Sequence, residues 1–224
     1  MILTFDIGNT ETVLGIFDGD RLASHWRIST HPERTPDEYG LLLRPLLREA
    51  GYDPGDVRGA AIASVVPPLT PSLVSAIRRH LDCQPVVVDA TSSLPIRLDV
   101  DEPLSVGADR IANTLAASRL FGIDAIVVDL GTATTFDCIS GDGVFLGGII
   151  APGVRTGAEM LTRRTARLPR VDLEPPPSVI GRRTDTALQS GIFWGAVDSI
   201  DGIARRIRAE WSHDATVIGT GGLA

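Results

Sequence analysis

The sequence predicts an α/β fold made of two similar halves, and three observations predict it. Short apolar runs of strand length alternate with amphipathic stretches of helical period, in the order three strands, helix, strand, helix, strand. The opening of that pattern then recurs: residues 127–135 read VVDLGTATT where residues 3–12 read LTFDIGNTET. The chain of 224 residues is 43% hydrophobic, enough to bury a sizeable core in one or two domains.

In the first half, residues 2–6, 11–17 and 21–28 are strand-like, separated by Gly8-Asn9 and by Asp18-Gly19-Asp20. Asp-Gly between two such runs is a hairpin signal. Residues 35–50 read as a helix, with Thr35 as cap, Pro36 in the first turn, Glu38 completing a capping box, and Leu42, Leu46 and Leu47 on one face. Pro45 inside it predicts a kink or an early break, because proline removes a helical donor. Residues 59–66 read as a buried strand, 71–81 as an amphipathic helix and 85–89 as a strand. A proline-punctuated loop follows, and then a helix over 108–121 with Ile111, Leu115 and Leu120 at near-helical spacing.

The second half opens with strands over 125–130, 134–139 and 144–150, the last two joined by Gly141-Asp142-Gly143. A helix over 153–164, a proline-rich loop at 175–177, a long helix over 184–210 and a strand over 216–219 complete it. The expected division is residues 1–118 and 119–224.

Composition removes several classes of function. Against 28 acidic residues stand 21 basic ones, a net charge of -7, and no basic stripe runs along the chain, so no nucleic-acid partner is expected. Every basic residue is arginine. Without lysine there is no P-loop and no Schiff-base chemistry. The start MILTFDIGNT has no basic segment leading an apolar one, and no apolar run approaches the roughly 18 residues of a membrane span. A cytoplasmic protein without membrane contact is the expectation. Cys83 and Cys138 stand far apart beside apolar runs and read as free, core-lining thiols. His25, His31, His80 and His213 lack any zinc-ligand spacing and read as surface or half-buried residues.

The repeated turns carry the chemistry. A Gly- and Thr-rich turn between antiparallel strands offers backbone N–H groups and hydroxyls to a phosphate without a cationic side chain. A carboxylate at the strand end, Asp6 in one copy and Asp129 in the other, can hold a metal ion bridging phosphates. Aspartate also commonly starts turns for local reasons, but two copies with matching flanks favour the functional reading.

Two such hairpins in a duplicated βββαβαβα chain resemble the actin-like ATPase and sugar kinase superfamily, whose ribonuclease H-like halves enclose a cleft. Within it, DIGNT at 6–10, SVVP at 64–67, GADR at 107–110, DLGTATT at 129–135, GGIIAPG at 147–153, TARLP at 165–169 and GRRTDTALQSG at 181–191 together resemble type III pantothenate kinase. The resemblance covers essentially the whole chain in order. It implies ATP-dependent phosphorylation of pantothenate to 4'-phosphopantothenate, the first step of coenzyme A biosynthesis.

Carried over by position, Asp6, Ile7, Gly8, Asn9, Thr10, Glu11, Thr12 and Val13 match the ATP-phosphate loop, with Asp6 beside magnesium. Thr132 matches a second ATP contact and Asp129 the ligand of a monovalent cation, potassium or ammonium. Gly107, Ala108, Asp109 and Arg110 match the pantothenate-binding motif, in which Asp109 is the catalytic base, and Thr184 matches a further substrate contact. The residue chemistry agrees: a carboxylate at a helix start is favoured as the anion that accepts a proton, and the Arg110 guanidinium offers a fork to a carboxylate or phosphate.

Three positions depart from the family. Val100 stands where many members have a substrate-contacting Tyr, Glu11 occupies a loop position that is often Asn, and GTGGLA at 219–224 resembles the adenosine-side glycine motif without the terminal helices that follow it in the family. The resemblance also implies a homodimer, for which Ala112, Ala116 and Ala117 with Ile192, Phe193 and Trp194 supply small and large apolar surfaces. Two other functions share the fold: a non-catalytic regulatory homologue, against which Asp6 and Asp109 argue, and a phosphate-releasing hydrolase, against which GADR and Thr184 argue.

Overall fold

A computed structural model describes residues 1–211 and 214–224, so the expectation for His213 lies outside the described residues. The chain divides into two compact units, Met1–Leu94 with Glu102–Ala112, and Pro95–Asp101 with Asn113–Ala224. The helix that begins at Ala108 is shared between them.

The first unit opens with β1 (Ile2–Ile7), β2 (Glu11–Asp18) and β3 (Arg21–Ser29), an antiparallel meander. The second hairpin closes through Gly19-Asp20, with Gly19 at a φ of 59° that a side chain rarely adopts. Next come α1 (Pro36–Glu49), β4 (Gly59–Ser64), α2 (Thr70–His80) and β5 (Pro85–Val88). Strands β4 and β5 add in parallel, giving a five-stranded sheet in the order β3-β2-β1-β4-β5. Period-two alternation sets the faces of β1: Leu3, Phe5 and Ile7 are buried in a core with Tyr39, Leu43, Leu47, Leu73 and Ile77, which puts Asp6 on the opposite face.

Helix α1 starts as expected, with the Thr35 hydroxyl accepting from the Glu38 N–H at 3.3 Å and Glu38 Oε2 accepting from the Thr35 N–H at 2.7 Å. Two expectations for it are corrected. Pro45 does not break the helix early, and α1 runs on to Glu49. Both Pro45 and Leu41, whose carbonyl loses its helical donor, are exposed, which leaves that carbonyl open to solvation and lowers the cost of the missing bond. The buried face is Tyr39, Gly40, Leu43 and Leu47, with Leu42 and Leu46 at its margins. Gly40 is required there because a Cβ would collide with the His80 ring of α2.

The second unit contributes β6 (Arg97–Leu98), the length of α3 (Ala108–Leu120) from Asn113 onward, β7 (Ala125–Leu130), β8 (Ala133–Ile139), β9 (Val144–Pro152), α4 (Val154–Arg164), α5 (Thr184–Trp211) and β10 (Thr216–Thr220). Its sheet runs β10-β7-β8-β9-β6. The stretch β10-β7-β8-β9 repeats β4-β1-β2-β3, a three-stranded meander with one parallel strand beside its first member, so the duplication extends to the topology. The short β6, parallel to β9, and the 3₁₀ turns at Pro54–Asp56 and Pro103–Ser105 were not legible in the sequence, being too brief for any hydrophobic period. Ile126, Val128 and Phe136 pack with Ala204, Ile207 and Ala215.

Both cysteines are half-buried, each against its own unit's core, as expected. Burial, helped by the charge of Asp82, raises the Cys83 thiol above its ordinary pKa and keeps it protonated. No helix among the described residues is long and apolar enough to cross a membrane.

Candidate functional site

In the first unit, Ile7 and Thr12 close the β1–β2 ladder and Glu11 already pairs with Ser29 of β3, leaving Gly8, Asn9 and Thr10 as the turn. The Gly8 N–H donates to the Glu11 carbonyl at 3.0 Å. Thr30, just past β3, donates its hydroxyl to the Gly8 carbonyl at 2.7 Å and its N–H to the Thr10 carbonyl at 3.0 Å. Its Oγ1 also lies 2.9 Å from the hydroxyl of the buried Thr12. Asp6, Asn9 and Thr10 are exposed, and Glu11 pairs with Arg27 at 3.2 Å, which offsets the negative charge it brings to the turn.

The same strand ends support the GADR segment. The Val65 N–H donates to the Ile7 carbonyl at 3.0 Å, and the Val65 side chain lies against Gly107. A Cβ on Gly107 would collide with Asp109 Oδ1. That oxygen accepts from the Arg110 N–H at 2.8 Å, so the half-buried Asp109 carboxylate is folded over the first turn of α3, where the unpaired N–H groups of the helix favour negative charge. The residues 6–13 and 107–110 are therefore brought to neighbouring strand and helix ends of one unit.

In the second unit, Gly131 and Thr132 form the turn between β7 and β8, with the Gly131 N–H donating to the Ala133 carbonyl at 3.1 Å. The start of α4 supports it: Thr156 donates its hydroxyl to the Thr132 carbonyl at 2.7 Å, and a Cβ on the buried Gly153 would collide with that same carbonyl. Asp129 pairs with Thr220 on β10, and Gly221, at a φ of 93°, passes so close that a Cβ would collide with Asp129 Oδ1. Three sequence motifs, at 129–132, 153 and 219–221, thus meet at one end of the second sheet. Thr184 instead opens α5, exposed beside an Arg183–Asp185 pair at 2.6 Å, and Val100 lies near Gly147 beside β6.

Sequence reasoning missed Thr30 and Thr156. Both lie far along the chain from the turns they hold, and only the β2–β3 register and the entry of α4 bring them there. No group of three or more His, Cys, Asp or Glu side chains that could hold a metal is found among the described residues.

The repeated meanders and Gly-rich turns define a protein of the actin-like ATPase and sugar kinase fold. A protein from Sinorhizobium meliloti assigned as a 2-dehydro-3-deoxygalactonokinase superposes with a TM-score of 0.56 over 99% of this chain and 91% of its own, at 14% identity. The model of the type III pantothenate kinase family matches residues 2–206. Type III pantothenate kinases of Moorella thermoacetica and Thermomicrobium roseum are 47% and 46% identical over the whole of this chain, covering 88% and 86% of their own lengths. The chain belongs to the type III pantothenate kinase family, and it is an ATP-dependent kinase.

Proposed function

We propose that this kinase transfers the γ-phosphoryl group of ATP to the primary hydroxyl of pantothenate, with Asp109 as the general base. The observation that carries the reading is the placement of the Asp109 carboxylate at the start of α3, one oxygen on the Arg110 N–H and close over Gly107, in a chain whose family match runs nearly end to end. As the new bond forms between the pantothenate oxygen and the γ-phosphorus, the bond from that phosphorus to the β–γ bridging oxygen breaks, and the hydroxyl proton passes to Asp109. Arg110 orients an anionic group of the substrate, and Thr184 adds a hydroxyl contact.

In the first unit, the turn of residues 8–10 offers outward N–H groups, that of Asn9 among them, to phosphate oxygens; in the second, the turn at Gly131 and Thr132 offers an ATP contact of its own. An ATP-dependent kinase implies a divalent ion; magnesium beside Asp6 and a monovalent cation, potassium or ammonium, beside Asp129 suit these carboxylates. When bound, the ions neutralise charge spreading over the transferred phosphoryl group. Since the chain has no lysine, arginine supplies all the side-chain cations that share that task. Incubation with γ-labelled ATP tests the reading: the label should appear on pantothenate, and label released only as inorganic phosphate would contradict it.

A further inference from the structure

We propose that Thr30 is the positioning residue of the first phosphate-binding turn, an inference that rests on the reading of residues 8–10 as an ATP-phosphate site. Thr30 holds the turn at two points, the Gly8 carbonyl at 2.7 Å and the Thr10 carbonyl at 3.0 Å, and its Oγ1 is anchored in turn by the Thr12 hydroxyl of β2 at 2.9 Å. A hydroxyl has one proton. Thr30 gives its own to Gly8, so Thr12 is the donor in the pair of hydroxyls, and both side chains are satisfied in one defined arrangement.

The consequence for ligand binding follows from peptide geometry. No described peptide bond is cis, and in a trans peptide the C=O and the following N–H point in opposite directions. Fixing the Gly8 carbonyl on Thr30 therefore directs the Asn9 N–H away from Thr30, and Asn9 is exposed on that turn. An anion needs that donor held in place before it arrives, because a turn free to flip its peptide would pay the ordering cost on binding. The buried Thr12 hydroxyl adds a penalty for any rearrangement, since losing Thr30 Oγ1 leaves it without its partner.

The test is initial-rate kinetics on Thr30→Val, which keeps the shape and removes the hydroxyl, beside Thr30→Ser, which restores it, and Asp6→Asn, which probes the ATP site directly. Thr30→Val should raise KM for MgATP by about 5- to 30-fold while KM for pantothenate stays within about twofold, and Thr30→Ser should return KM for MgATP close to wild type. If the valine variant does not fold, Thr30→Ala removes the same hydroxyl without bulk and is read in the same way. Asp6→Asn shifting MgATP dependence while Thr30→Val does not would overturn the role of Thr30 and leave the ATP turn standing. Neither variant shifting it would remove the ATP reading and the inference with it. Equal rises in both KM values, or no recovery with serine, would make Thr30 a stabiliser of the fold and overturn the proposal.

Discussion

Asp6 and Asp109 are both carboxylates near the ends of strands or helices in the first unit, and their surroundings differ in ways that suit the different tasks proposed for them. Asp109 has one oxygen tied to the Arg110 N–H at 2.8 Å and sits half-buried over a helix start, a setting for accepting a proton in a defined direction. Asp6 is exposed on the face of the sheet opposite α1 and α2, beside the turn assigned to phosphates. Asp109→Asn should therefore fold normally and lose about 10² to 10⁴ in kcat, the usual contribution of a general base. Asp6→Asn should act on the use of MgATP, moving the magnesium concentration needed for half-maximal rate. Kinetics in which the two variants show the same pattern would merge the roles separated here.

At the scale of elements, α1 gives a pH-dependent prediction. The Glu38 carboxylate accepts from the Thr35 N–H, and this bond holds its pKa below the ordinary glutamate value. A lowered folded pKa means that the unfolded chain binds more protons, so the stabilisation is complete above the unfolded value and is lost as pH falls through the folded one. The difference in Tm between wild type and Glu38→Ala should accordingly be full at pH 7 and shrink below about pH 4.5. The second turn gives another: Gly153→Ala forces a methyl group into the Thr132 carbonyl, and should lower Tm and raise KM for MgATP together. An unchanged variant on both counts would show that α4 does not set the turn.

The long elements were legible because periodicity and punctuation agreed: Thr35-Pro36 and Glu38 marked α1, and Asp18-Gly19 marked the β2–β3 hairpin. Pro45 misled because sequence shows the lost donor but not that the carbonyl left without it lies on the exposed side of the helix, open to solvation. The motif residues were readable as well, whereas Thr30 and Thr156 were not, because a lone hydroxyl becomes a brace only through strand register and helix entry.

For the whole molecule, the duplicated meander places equivalent turns in two units, each with its own core. The assembly is a further proposal. Ala116 is exposed on α3, and Trp194, stacked edge-on against Phe193 at 5.2 Å, remains 37% exposed on α5, surfaces suited to a homodimer. Ala116→Glu should lower both mass in light scattering and kinase activity; a wild-type monomer with full activity at the same concentration would contradict the dimer. The central claim is most directly tested by ADP release from MgATP in a coupled assay, with pantothenate present and absent. The account predicts release that saturates with pantothenate and falls to background without it; release independent of pantothenate, or none in its presence, would contradict it.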